Sequence, residues 1–261
     1  EMQPERRERI LRTQARCAVG ILALAVVVTM GASAQAPAPV AHWPFSEGQG
    51  DVLGDAGGKN LNGKIAGAAW VKTAFGTGLR FDGQTAHVDC GAPRELALTG
   101  DLTLTAWVQL DAARFPNGKT NWHIVDNYDY AKWGYMLRVE GASARLECST
   151  NQDGRSQPGW SRGLISNKTP HHVALVRRGS VGSFFLDGRR DVSFPTNDPL
   201  PPQSSFRIGA LSQSFEGVIY DVRVYDRALS DGDVLGLFTQ DAKRFGKAIP
   251  WAVGKIALTP F

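Results

Sequence analysis

Two stretches of this chain hold side chains able to do chemistry. Between Asn117 and Tyr135 lie Trp122, His123, Asp126, Asn127, Tyr128, Asp129, Tyr130, Lys132, Trp133 and Tyr135. Between Thr150 and Gly163 lie Asp153, Arg155, Trp160 and Arg162. Aromatic rings stack on the apolar faces of pyranose rings, while carboxylates, amides and guanidinium groups bond hydroxyls. A few aromatics with convergent polar groups is the composition of a small-molecule site. Both stretches read as polar loops, and Asp126, Tyr128, Tyr130, Trp133, Arg155 and Trp160 are the candidate ligand-binding residues. The competing structural reading is that these rings cover the edge of a sheet and bond through their polar ends.

Catalysis finds less support. Cleaving a glycosidic bond takes two carboxylates facing each other across the substrate. Glu140, Glu147 and Glu216 stand alone, and no nucleophile elbow, H-E-x-x-H helix or phosphate loop occurs. His171 and His172 are adjacent on an apparent strand, so they point to opposite faces and form no metal pair. A non-enzymatic protein is expected.

The elements that must position the candidates are strands. Leu102, Leu104, Ala106, Val108 and Leu110 alternate with polar residues and Trp107, and read as the core face of one strand. In Glu216–Tyr225, Val218, Tyr220, Val222 and Val224 fall on one face, and Ile219, Asp221, Arg223 and Tyr225 on the other. Ser230, with Asp233 three residues on, reads as a helix cap. Many short alternating segments, frequent Gly, Asp and Asn turns and little helical periodicity indicate an antiparallel two-sheet β-sandwich.

Arg6, Arg7, Arg9, Arg12 and Arg16 precede the uncharged run Cys17–Met30, and Gly31-Ala32-Ser33-Ala34 follows. A basic segment, an apolar run and a small-residue site in that order read as a secretory signal peptide cut after Ala34. The run is shorter than the ~20 residues that span a bilayer, so cleavage is expected over a retained anchor. The expected products are signal peptide 1–34, linker 35–40, globular domain 41–239 and an unassigned tail 240–261. Localisation is then secreted, periplasmic or cell-surface, with no membrane span after cleavage. Losing five Arg and three Glu lowers the net charge from +4 to +2. No long basic run survives, which argues against a nucleic-acid partner. Cys90 and Cys148 remain as an even pair in an exported chain. Sequence leaves a disulfide and two separate buried thiols equally open.

Several motifs in order resemble the LamG-like jelly-roll family of the concanavalin A-like lectin/glucanase superfamily. They are Ala41–Phe45, Asp55–Gly63, Phe75–Gly83, His171–Val176, Ser183–Arg189, Phe206–Ala210 and Glu216–Ser230. The resemblance spans residues 41–239 and implies an all-β antiparallel jelly roll whose first strand pairs with its last. The superfamily's glucanases carry three spaced acids on one strand, and this chain has no such run. Relatives often hold structural Ca²⁺ near the first and last strands, using a closing-strand carboxylate where Tyr220 stands here. Asp55 with nearby carbonyls is the remaining candidate Ca²⁺ ligand, against the alternative that Asp55 caps a turn. The function the resemblance implies is non-catalytic binding of a glycan or polysaccharide. The alternatives are a protein–protein adhesion or envelope scaffold module and, less favoured, a glycan-cleaving enzyme.

Overall fold

The computed structural model describes residues 37–111, 121–129, 133–152 and 155–249. The expected signal peptide therefore lies outside the described residues. Among those described, no helix is long and apolar enough to cross a membrane.

Among the described residues, two eight-stranded antiparallel sheets face each other. The first runs β14 (Arg189–Pro195), β13 (Val181–Leu186), β12 (Pro170–Arg178), β7 (Leu102–Leu110), β16 (Glu216–Tyr225), β5 (Gly76–Asp82) and β4 (Ala69–Thr73). β1 (Ala41–Trp43) pairs with the second half of β16, with His42 opposite Arg223. The second sheet runs β11 (Arg155–Leu164), β10 (Arg145–Gln152), β9 (Trp133–Glu140), β8 (Asn121–Asp129), β15 (Arg207–Gly209), β6 (His87–Asp89), β3 (Gly63–Ala66) and β2 (Val52–Leu53). The arrangement is the two-sheet jelly-roll sandwich expected from the motifs, with first and last strands adjacent.

The inner faces build one core. Leu102, Leu104, Ala106, Val108 and Leu110 enter it from β7, as their alternation indicates, and meet Trp43, Trp122, Leu137 and Cys148. The closing strand departs from simple alternation. Ile219 lies opposite Val108 and Asp221 opposite Trp107, so Tyr220 is an extra residue in a bulge. The bulge reverses the phase of the strand. Ile219, Val222 and Val224 face the core, while Val218 and Tyr220 face outward. The faces read from sequence for this strand are corrected accordingly, and Asp221 lies on the outer face beside Tyr220 and Trp107.

The outer face of the first sheet is roofed by α1 (Asp231–Ala242). Ser230 and Asp233 form the expected capping box, with Asp233 N–H donating to Ser230 Oγ at 3.1 Å and Ser230 N–H to Asp233 Oδ2 at 2.9 Å. The helix crosses the domain boundary drawn at residue 239. Beyond it Phe245 stacks on Trp107 with ring centroids 4.0 Å apart, and Lys247 Nζ meets Asp187 Oδ2 at 2.9 Å. The folded unit thus extends through Lys247.

Candidate ligand groove on the second sheet

Both stretches read as loops are largely hairpins of the second sheet: β8–β9 and β10–β11. Their inner positions are apolar, including Trp122, Val125, Tyr135, Leu137, Leu146 and Cys148. Their outer positions carry the polar residues. A register shift between His123 and Val125 breaks the period of β8 and makes a strand resemble a loop. In β10–β11, Pro158 and Gly159 obscure the strand. Pro158 is tolerated because β11 is the sheet edge. A Cβ on Gly159 would lie 2.1 Å from the Phe194 ring of the facing sheet, so this close approach requires glycine.

Cross-strand register assembles the site. Trp160 lies opposite Glu147, Glu147 opposite Arg138, and Arg138 opposite His123. Two pairs further along, past the core-facing Val125–Leu137 pair, Asp126 lies opposite Arg207, and Arg207 opposite Asp89. Directly opposed residues share a face. The result is a groove of about 360 Å³ whose walls include His123, Asp126, Tyr128, Asp129, Arg138 and Arg207, with Ala210–Gln213 along one side.

The charges in the groove are unequally satisfied. Arg138 makes a two-pronged pair with Glu147, its Nε 3.0 Å from Oε2 and its Nη2 2.8 Å from Oε1. Both side chains are buried, which keeps such a pair strong. Arg138 Nη1 also donates to His123 Nε2 at 3.4 Å. A guanidinium cannot accept, so the network assigns the proton of the neutral ring to Nδ1. That atom is 3.4 Å from Asp126 Oδ1 but makes no hydrogen bond. Arg207 Nε is likewise buried without a hydrogen-bond partner, 3.7 Å from Asp89 Oδ2. Tyr128 Oη lies 3.2 Å from Ser149 Oγ.

Of the six candidates, Asp126 and Tyr128 line the groove together. Trp160 is 43% exposed in the same row, beyond Glu147 and Arg138. Trp133 lies opposite Asp129, one step past the Tyr128–Gly134 pair, and is not part of the groove lining. Arg155 pairs with Gln152 through β11, and its side chain lies outside the described residues, as does Tyr130. His123, Arg138 and Arg207 are groove residues that sequence reasoning did not select. Alternation marks Arg138 as outward between Leu137 and Val139, but nothing local indicates that it meets Glu147 and His123.

The remaining candidates are decided locally. Asp55 is a turn cap. Its Oδ1 accepts from His42 N–H at 2.9 Å and Gly57 N–H at 2.7 Å, and its Oδ2 from Leu61 N–H at 3.0 Å. Among the described residues no three His, Cys, Asp or Glu side chains converge as metal ligands. Three backbone N–H groups thus use lone pairs of Asp55 that a Ca²⁺ ion would otherwise take. Cys90 and Cys148 are separate buried free thiols, so the disulfide alternative is not realised. Burial pushes both thiols well above their ordinary range.

The two facing sheets, with β1 paired to β16, define a jelly-roll β-sandwich. A sequence profile of the concanavalin A-like lectin/glucanases superfamily, in its laminin-G form, matches residues 82–235. The chain belongs to that superfamily. Solved structures share the fold at low identity. The binding domain of Paraclostridial Mosquitocidal Protein 1 aligns with a TM-score of 0.64 and 15% identity over 79% of this chain and 55% of that one. The receptor-binding domain of botulinum neurotoxin type G gives 0.58 and 11% over 78% and 51%. Trypanosoma rangeli sialidase in complex with sialic acid gives 0.58 and 21% over 77% and 33%. The chain thus spans about half the length of the two toxin domains and a third of the sialidase. No curated protein sequence matches it significantly.

Proposed function

We propose that this protein is an exported, non-catalytic, lectin-like domain that binds a glycan in the groove of the second sheet. The observation carrying this reading is Asp126. Its carboxylate lines the groove beside Tyr128 and takes no hydrogen bond from the described residues, leaving it available to ligand hydroxyls. The binding domains among the structural neighbours, and the sialidase with its bound sugar, are precedent for ligand binding on this fold. Non-catalysis is supported by Glu147, whose two oxygens are closed by Arg138. Export is supported by the basic, apolar and small-residue order of residues 1–34.

A second reading has its own observation. Edge strand β11 exposes Trp160 at 43% and Leu164 at 55%, apolar surface suited to a polypeptide partner in an adhesion or scaffold role. Glycan-array binding by the purified protein, with calcium and with chelator, separates the two. Specific binding in both conditions that disappears in Asp126→Ala establishes the lectin reading. Binding lost in chelator would restore a calcium site, and no binding in either condition would transfer the assignment to the polypeptide partner.

A further inference from the structure

The donors and acceptors of the groove do not balance, and the imbalance specifies a ligand. His123 is 9% exposed, its Nε2 is engaged by Arg138, and its Nδ1–H has no hydrogen-bond partner. Arg207 Nε–H is also buried without one. Asp126 shares the groove, its Oδ1 3.4 Å from His123 Nδ1 and its backbone directly across the strands from Arg207. Two N–H donors without a hydrogen bond thus border the same groove as the Asp126 carboxylate, His123 Nδ1 lying 3.4 Å from Asp126 Oδ1 and Arg207 Nε 3.7 Å from Asp89 Oδ2. Leaving buried donors unmet is costly, and native structures rarely do so without a reason.

The missing group must accept from an N–H and donate to a carboxylate at once. A carboxylate, sulfate or phosphate satisfies the donors but brings negative charge against Asp126. An ammonium satisfies Asp126 but sets a cation against the donors. A hydroxyl does both, because it has one hydrogen and two lone pairs. Two neighbouring hydroxyls match the two oxygens of Asp126. We infer that the groove reads a vicinal diol on an uncharged sugar. One hydroxyl accepts from His123 Nδ1–H and donates to Asp126 Oδ1. Its neighbour accepts from Arg207 Nε–H and donates to the second oxygen of Asp126. This rests on the lectin reading and adds to it: neutral hexoses are selected over their carboxylated counterparts, even though one structural neighbour is a complex with sialic acid.

The test is calorimetric titration of the purified protein with the methyl glycosides of glucose, galactose and mannose and with their matched uronic acids. At least one neutral glycoside is expected to bind at least tenfold more tightly than its uronic acid. Asp126→Asn keeps the shape of the side chain but turns one acceptor into a donor, and is expected to lose at least tenfold in affinity. Its melting temperature should stay near that of the parent, which separates lost recognition from lost folding. Tighter binding of a uronic acid would overturn the inference and leave the lectin reading standing. Unchanged affinity in Asp126→Asn would overturn it in the same way. Binding of none of the six sugars, together with an empty glycan array, would overturn both.

Discussion

His172 lies beneath Trp107 and Phe238, with ring centroids 5.3 and 6.1 Å away. Its Nδ1 is buried without a hydrogen bond, and burial drives its pKa down to about 4 from an ordinary 6.5. The folded state thus resists a proton that the unfolded chain accepts. Stability from this residue is complete above pH 6.5 and declines as pH falls toward 4, by on the order of 3 kcal/mol in all. The melting temperature is therefore expected to drop between pH 7 and pH 4.5, and His172→Phe should flatten that slope. An equally steep slope in the variant would assign the effect elsewhere. Asp187 acts in a different window. Burial raises its pKa, but hydrogen bonds from His171 and Lys247 outweigh this and hold it below the usual carboxylate range. Its contribution is present above about pH 4 and is lost only below that.

At the scale of elements, the bulge in β16 and the helix that follows work together. Tyr220, the extra residue, faces outward, where it bonds Gln109 Oε1 at 3.0 Å and packs edge-on to Phe245. Without it, strict alternation from Ile219 would turn Val222 and Val224 out of the core and bring Asp221 and Arg223 into it. The outward face receives α1, whose start is held by Ser230. Ser230→Ala removes the acceptor for Asp233 N–H and should cost about 1 kcal/mol. Denaturant titration should show a lower midpoint with an unchanged slope, since the variant exposes no new surface in the folded state. A midpoint equal to that of the parent would mean that α1 is held by packing alone.

The whole molecule has two unlike outer faces. The first sheet is covered by α1 and the segment through Lys247, which bury Trp107, Val218 and Tyr220. The second presents the polar groove. The cover is an integral part of the fold. Phe245→Ala should destabilise by about 3–5 kcal/mol through the cavity left against Trp107. Ending the chain at Gln240 should do at least as much harm, because it also removes Ala242 and the Lys247–Asp187 pair. Thermal melts of both variants check this, and a truncated protein as stable as the parent would show that the segment past α1 is dispensable. Neither variant touches the groove, so whatever folded fraction remains should retain ligand binding.

Strand alternation is a local property, and wherever it ran uninterrupted the sequence sufficed. The core face of β7, the opposed His171 and His172 and the Ser230 cap were legible from residue order and type, and the pairing of first and last strands from the family resemblance. The groove was legible in part: Asp126 and Tyr128 stand out by composition, while Arg138 and Arg207 look like ordinary outward charges on strands. What makes them a site is register. Asp126 and Arg207 are neighbours across β8 and β15 despite the long stretch of chain between them, and no local pattern encodes that pairing. The bulges in β8 and β16 are equally non-local, since an extra residue is stable only where the partner strand and the packing beyond it accept the change of face. The fate of the two cysteines followed the same rule. Sequence supplied an even pair of cysteines, and their separate burial was decided by the strands that carry them. Periodicity thus determined the fold, and the long-range pairing of strands decided which of its polar residues meet.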